Sequence, residues 1–281
     1  MGVDLVLLYD CRPRRELGAG NVGAGTHAIL DGVKAQNRAE MVANLARKNG
    51  QDLDSIRVQV AHNFPGVTPD HDRKPTTVGY RDLLAGYDPL RPFEPDCDGC
   101  PANASGVPFG CSRGFVNYPV PPSAEEWIAD RLQPPGTVGG HLLFAALRDF
   151  NLTGEPLAGY RKQGLLAAPA PAVRAFDTDD GTVEVRSDQV LEAIFCVGEP
   201  LNPGHVLGVL LWLGALTVNG EQPGPADVGA MLAAGTPDDR EAAAAFDPGE
   251  PSDDAGVYQM QRMLYFLYRG WVTDSRVWVD A

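Results

Sequence analysis

Lysine is nearly missing from this chain of 281 residues: there are four, Lys34, Lys48, Lys74 and Lys162, and every other basic side chain besides histidine is arginine. That skew reads as the composition bias of a GC-rich genome rather than as a binding signature. Basic charge of either kind is short, with 23 Lys and Arg against 37 Asp and Glu and a formal net charge of −14. This is the wrong sign for counterion-release binding, so neither a nucleic-acid partner nor an anionic membrane is expected. Long apolar runs are also lacking. The longest, Val206 to Val218, is interrupted by Gly208 and Gly214 and falls well short of the roughly 20 residues that span a bilayer, so it predicts a buried helix. The opening residues Met1-Gly2-Val3-Asp4 carry no basic region leading into an apolar stretch. No secretory signal is expected, and the expected compartment is the cytoplasm. Cysteine is limited to five, an odd count that disfavours a disulfide framework in a reducing compartment.

Gly and Pro, by contrast, are plentiful. With 32 Gly and 24 Pro they make up about a fifth of the chain, against a usual share of roughly 12%. Because 44% of residues are hydrophobic and only 21% charged, there is enough apolar material for a core between many irregular connections. Disorder, collagen and coiled coil are excluded as the main architecture.

The pattern predicts an α/β or α+β chain. Val3 to Tyr9 is a near-continuous apolar run, as in a strand buried on both faces of a parallel sheet. A glycine-rich loop follows, then a helix from about His27 to Lys48 capped by Thr26, then a half-exposed strand over Ser55 to Ala61. Strand, helix, strand predicts a parallel crossover unit. Residues 63–122 form a long Pro/Gly-rich, cysteine-bearing loop with a short helix near Tyr80 to Leu84 and a strand at Gly114 to Val120. Ser123-Ala-Glu-Glu126 reads as a capping box opening a helix, and Thr137 to Phe150 as another helix. Two regions are expected, 1–150 mixed and 151–281 mainly helical, with a soft boundary. The second holds a hairpin over 172–186, a helix capped by Ser187, the apolar helix after Asn202-Pro203, and a last helix whose Val257, Met260, Leu264, Leu267 and Trp271 form a core-facing stripe. Between Asp238 and Asp254, seven acids and one Arg make a solvated surface or a dock for a basic partner.

The densest chemical signal is Cys97-Asp-Gly-Cys100 followed by Cys111. Two cysteines separated by two residues place both thiolates on one tetrahedral ion, and Gly99 relieves the turn this needs. In a loop without periodicity a bound ion replaces the absent core, so structural zinc is the expected cofactor and an iron–sulfur cluster the alternative. Cys11, just after the first strand, is the preferred fourth ligand. His62, just after the second, is the alternative, with His71 in reserve. Cys196, in an apolar run, reads as a small buried hydrophobe.

Weaker signals have plainer readings. Gly18-Ala-Gly20-Asn-Val-Gly23 matches a dinucleotide pattern but stands seven residues from the strand, so the Gly18 to Gly25 segment reads as a flexible loop before a phosphate site. Asp70-His71-Asp72 reads as exposed loop. Asp177, Asp179, Asp180 and Gly181 read as a hairpin turn before a calcium loop. His141 and His205 read as core histidines. The functional expectation is a cytosolic binding or assembly component with a structural Cys-ligated zinc and a protein partner. The rivals are a thiol enzyme using Cys11 and His62, and a phosphate- or nucleotide-binding protein using the glycine loop.

Overall fold

The computed structural model describes residues 2–60, 76–163, 170–178 and 181–280. The chain is mixed, 56% helical and 15% strand, in keeping with the class expected from its periodicities. From the N-terminus come β1 (Gly2–Leu7), α1 (Arg12–Leu17), α2 (Val22–Asn49), β2 (Arg57–Val60), β3 (Thr76–Gly79) and α3 (Tyr80–Tyr87). Next are β4 (Gly114–Asn117), α4 (Pro122–Arg131), α5 (Val138–Asp149), α6 (Glu155–Lys162), β5 (Val173–Thr178), β6 (Gly181–Arg186) and α7 (Ser187–Phe195). The rest comprises α8 (Pro203–Trp212), β7 (Leu216–Thr217), α9 (Pro225–Ala233), α10 (Pro237–Ala243), β8 (Ala245–Phe246), α11 (Ala255–Val272) and β9 (Val277–Asp280). Contacts divide the chain into two units interleaved in sequence: Met1–Tyr9 with Gly114–Asp280, and Asp10–Arg113.

In the larger unit β1 is the central strand of a three-stranded sheet, paired antiparallel with β4 on one side and β9 on the other. Val3, Leu5, Val6 and Leu7 are completely buried, so the apolar run is covered on both faces as its composition implies. The expected parallel crossover is not formed. β2 pairs antiparallel with β3 in the smaller unit, and β1 belongs to a different sheet. A run of consecutive apolar residues reports burial of both faces and carries no information on strand direction, which is why the sequence misled here.

Helix α11 covers β1 and β4. Gly114 makes the approach possible, since a Cβ there would stand 2.8 Å from the Phe266 ring and 2.9 Å from Leu5 Cβ. The stripe on α11 faces the core: Met260, Leu264, Leu267 and Trp271 are buried, with Met263 and Phe266 beside them. The long apolar run forms α8, buried against α5 and α11. It stops at Trp212, and Gly214 turns the chain with φ +54. β5 and β6 pair as the expected hairpin, with Asp179 and Asp180 outside the described residues.

Two expected caps serve other ends. Ser123 donates to Asp254 Oδ1 at 2.9 Å rather than capping α4, which starts at Pro122. Ser187 donates to Glu125 Oε2 at 2.6 Å. That carboxylate belongs to a buried ionic network. Arg161 Nε donates to Asp188 Oδ1 at 2.6 Å and its Nη1 to Glu125 Oε1 at 2.9 Å, and Nη2 reaches Glu125 Oε2. Periodicity gives no hint of it, because each of these residues taken singly looks like surface.

The smaller unit is built on α2. Asn21 caps it by accepting from Ala24 N at 3.1 Å, and Gly50 ends it at φ +63. The helix thus begins well before His27, and Thr26 lies inside it with its hydroxyl bonded to Val22 O. One side of the unit's core joins Ile29 and Val33 of α2 to Tyr87, Leu90, Cys97 and Phe109. The other joins Ala39 and Val42 to Leu83, with Ile56, Val58 and Val78 packed around them. The stretch after α3 is organised as 3-10 turns over Asp88–Cys97 and Gly110–Ser112. His62, Asp70, His71 and Asp72 lie outside the described residues.

Candidate metal centre

Four of the five cysteines belong to the smaller unit, and local backbone chemistry determines where each one stands. Cys11 immediately precedes α1, and its carbonyl accepts from Arg15 N at 3.2 Å to open the helix. Pro13 suits the first turn, where no intrahelical donor is required. One turn along, Arg14 is completely buried. What puts it there is the close approach of α1 to α2: a Cβ on Gly25 would stand 1.9 Å from Arg14 O and 2.7 Å from its Cα, and one on Gly18 would stand 1.9 Å from Asn21 O. Two glycines of the Gly18 to Gly25 segment thus allow two backbones to touch.

The Cys97 to Cys100 turn closes through Cys100 N to Cys97 O at 3.3 Å, with Gly99 in the left-handed region at φ +68. Asn103 braces it, donating from Nδ2 to Cys97 O at 3.2 Å and accepting from Gly106 N at 3.1 Å. The chain returns through Phe109, whose ring is buried edge-on against Tyr87 and whose backbone takes φ +58, a conformation unusual outside glycine. That conformation points its N–H at Cys97 Sγ, 3.1 Å away. Gly110 follows in a position where a Cβ would fall 1.9 Å from Asn103 Oδ1. Cys111 then meets the Arg14 guanidinium, Nη2 donating to its sulfur at 3.5 Å and to Ser112 Oγ at 3.4 Å.

The thiols share one electrostatic neighbourhood. Burial pushes the Cys97 thiol up to about 11, and Cys111, Cys100 and Cys11 push the same way, while the Phe109 N–H opposes them. Burial also raises Cys11, with Cys111 and Cys100 adding to it and the Arg14 N–H and charge opposing. Cys100 is raised by burial and by Cys111, against the N–H groups of Ala102 and Asn103. Two of the four sulfurs thus have a donor directed at them, the Phe109 N–H for Cys97 and the Arg14 guanidinium for Cys111. Among the described residues, Ser105 Oγ and Asp96 Oδ2, on either side of the Cys97 to Cys100 turn, are buried atoms that meet no hydrogen-bond partner. All five cysteines are free thiols. Among the described residues no three His, Cys, Asp or Glu side chains converge as ligands of a single ion.

Cys11, distant in sequence, belongs to the same unit as Cys97, Cys100 and Cys111. Arg14 is the member that motif reasoning missed; the available signal was its place one helical turn after Cys11. Cys196 ends α7 only half-buried, its thiol pushed up to about 11 by burial and by Glu192. His205 has the partner expected of a core histidine, Nε2 lying 2.7 Å from Ala193 O, whereas His141 is exposed. Among the described residues no helix is long and apolar enough to cross a membrane. No protein-family model, curated protein or solved structure matches the chain.

Proposed function

We propose that Cys11, Cys97, Cys100 and Cys111 are the ligands of a structural zinc ion, and that the protein is a cytoplasmic binding or assembly component acting through a protein partner. The observation that supports this reading is the pair of donors aimed at sulfurs of the set, the Phe109 N–H at Cys97 and the Arg14 guanidinium at Cys111. Such hydrogen bonds are of most use when the sulfurs are thiolates, and a metal ion is what makes neighbouring thiolates tolerable. Bound zinc would supply the attraction that holds Cys11 to the irregular 97–111 segment. It fits a stretch whose own contribution to the core rests on few side chains, Leu90, Cys97 and Phe109 among them.

The rival readings have less support. A catalytic thiol needs its pKa lowered, and that of Cys11 is raised. A phosphate site at the glycine loop needs glycines free to wrap a ligand, and Gly18 and Gly25 are occupied by the α1–α2 approach. The test is Cys97→Ser and Cys100→Ser, each measured for metal content and for cooperative unfolding. Structural zinc predicts loss of metal together with loss of the smaller unit's folding transition. Retention of both would refute it. Iron with acid-labile sulfide in place of zinc would reassign the same ligands to an iron–sulfur cluster.

A further inference from the structure

Within the smaller unit a cleft of about 450 Å³ runs between helices α2 and α3, large enough to take a small molecule. Ala39 and Ala43 of α2 and Leu84 of α3 line it, between the tyrosines that begin and end α3, Tyr80 and Tyr87. Four charged side chains line it as well: Glu40, Arg47, Arg91 and Glu94. Two of them are engaged. Arg91 donates from Nε to Asp88 Oδ1 at 2.9 Å and lies over the Tyr87 ring. Burial pushes the Tyr87 hydroxyl up to about 12, and Glu94 beside it pushes the same way. Glu40 and Arg47, by contrast, form no ion pair among the described residues. They stand seven residues apart on α2, which at about 1.5 Å per residue is about 10 Å along the helix. None of these residues belongs to the cysteine set.

A simple anion entering this cleft meets Glu40, a simple cation meets Arg47, and a neutral ligand leaves both charges unpaired. Only a ligand with both charges, spaced to match, pairs each with its opposite. We infer that the cleft binds an extended zwitterion of tripeptide length, its ammonium against Glu40, its carboxylate against Arg47 and an apolar middle against Ala43 and Leu84. An extended chain advances about 3.3–3.6 Å per residue, so three residues set their charged ends about 10 Å apart. Arginine suits the carboxylate end, because its planar fork meets a carboxylate with two parallel N–H bonds.

The experiment titrates the tripeptide alanyl-leucyl-alanine into the full chain by calorimetry, beside its N-acetylated form, its C-terminal amide, and the alanyl-leucine dipeptide. The free tripeptide is expected to bind saturably at one site. Removing either terminal charge should weaken it about tenfold, the effect of one charge-assisted hydrogen bond, and the dipeptide, too short to reach both charges, should bind more weakly as well. Two variants assign the ends. Glu40→Gln should abolish the discrimination against the acetylated form while keeping that against the amide, and Arg47→Gln should do the reverse. Both side chains are exposed, so the variants should melt like the wild type, and unchanged melting midpoints confirm that the fold is intact. Absence of saturable binding by the free tripeptide would overturn the inference. So would capped forms that bind as tightly as the free one, discrimination at one end alone, or discrimination that survives in both variants. Each of these results leaves the metal centre untouched, since metal content is measured separately.

Discussion

Replacing Gly25 by alanine adds one methyl group at the point where α1 touches α2. Its Cβ would stand 1.9 Å from Arg14 O, whereas Cβ contacts below 3.0 Å essentially do not occur, so the Arg14 carbonyl must retreat by about 1.1 Å. The atoms in the way are backbone, which has no rotamer to change, and the displacement must pass to α1 as a whole. Overpacking of this kind costs about 1–3 kcal/mol. The larger consequence concerns the metal. Ligand distances must hold to within about 0.2 Å, and α1 starts directly after Cys11 and carries the side chain of Arg14. Gly25→Ala should therefore behave like loss of Cys11, with weakened zinc binding and a lowered unfolding midpoint in the metal-loaded chain. The control is Gly23→Ala, where the new Cβ meets only Asn21 Oδ1 at 3.2 Å; packing predicts near-normal behaviour. A dinucleotide loop predicts the opposite ranking, since Gly23 belongs to its pattern and Gly25 does not. Zinc titration and thermal melts of the two variants give the answer, and native affinity and stability in Gly25→Ala would refute the reasoning.

Other outcomes follow from the same geometry. Arg161→Met removes a guanidinium that lies between two buried carboxylates, Glu125 and Asp188; about 3–5 kcal/mol should be lost in denaturant unfolding. The exposed Arg148–Asp149 pair serves as the control, and Arg148→Met should leave the midpoint unchanged. Because the Cys97 thiol is raised from 9.0 to about 11, the metal-free fold favours the protonated form. Its contribution to stability is present below pH 9 and is lost as pH climbs through 11, which alkaline unfolding of chelated protein would show. Zinc must displace those protons, so its apparent affinity should rise with pH across the neutral range, and a flat profile would contradict thiolate ligation.

The parts of this molecule that were legible in its sequence are those written in local periodicity. The stripe on α11, the apolar α8 and the hairpin around Gly181 each follow from neighbours within a few residues, and the structure contains all three. What was not legible depends on pairings between distant segments. The direction of β1 is set by β4 and β9, far along the chain, and continuous apolarity reads the same for either direction. Ser123 and Ser187 looked like helix caps because the local pattern omits the partners they find, Asp254 and Glu125. The start of α2 was misplaced for a related reason: Gly23 and Gly25 read as loop, although at Gly25 glycine answers a contact with another helix. For the candidate site, Cys97, Cys100 and Cys111 stand out as a motif and Cys11 by its placement, and all four fall in the smaller unit. Arg14 went unnoticed because its one signal, a place one helical turn after Cys11, does not mark it as buried.

The central claim is that four cysteine sulfurs hold one zinc ion. Zinc K-edge X-ray absorption of protein purified without chelator measures it directly, through metal identity, ligand type and distance. The account predicts one zinc per chain in a shell of four sulfurs at about 2.3 Å. A chain free of zinc, or zinc in a shell of nitrogen and oxygen, would contradict it.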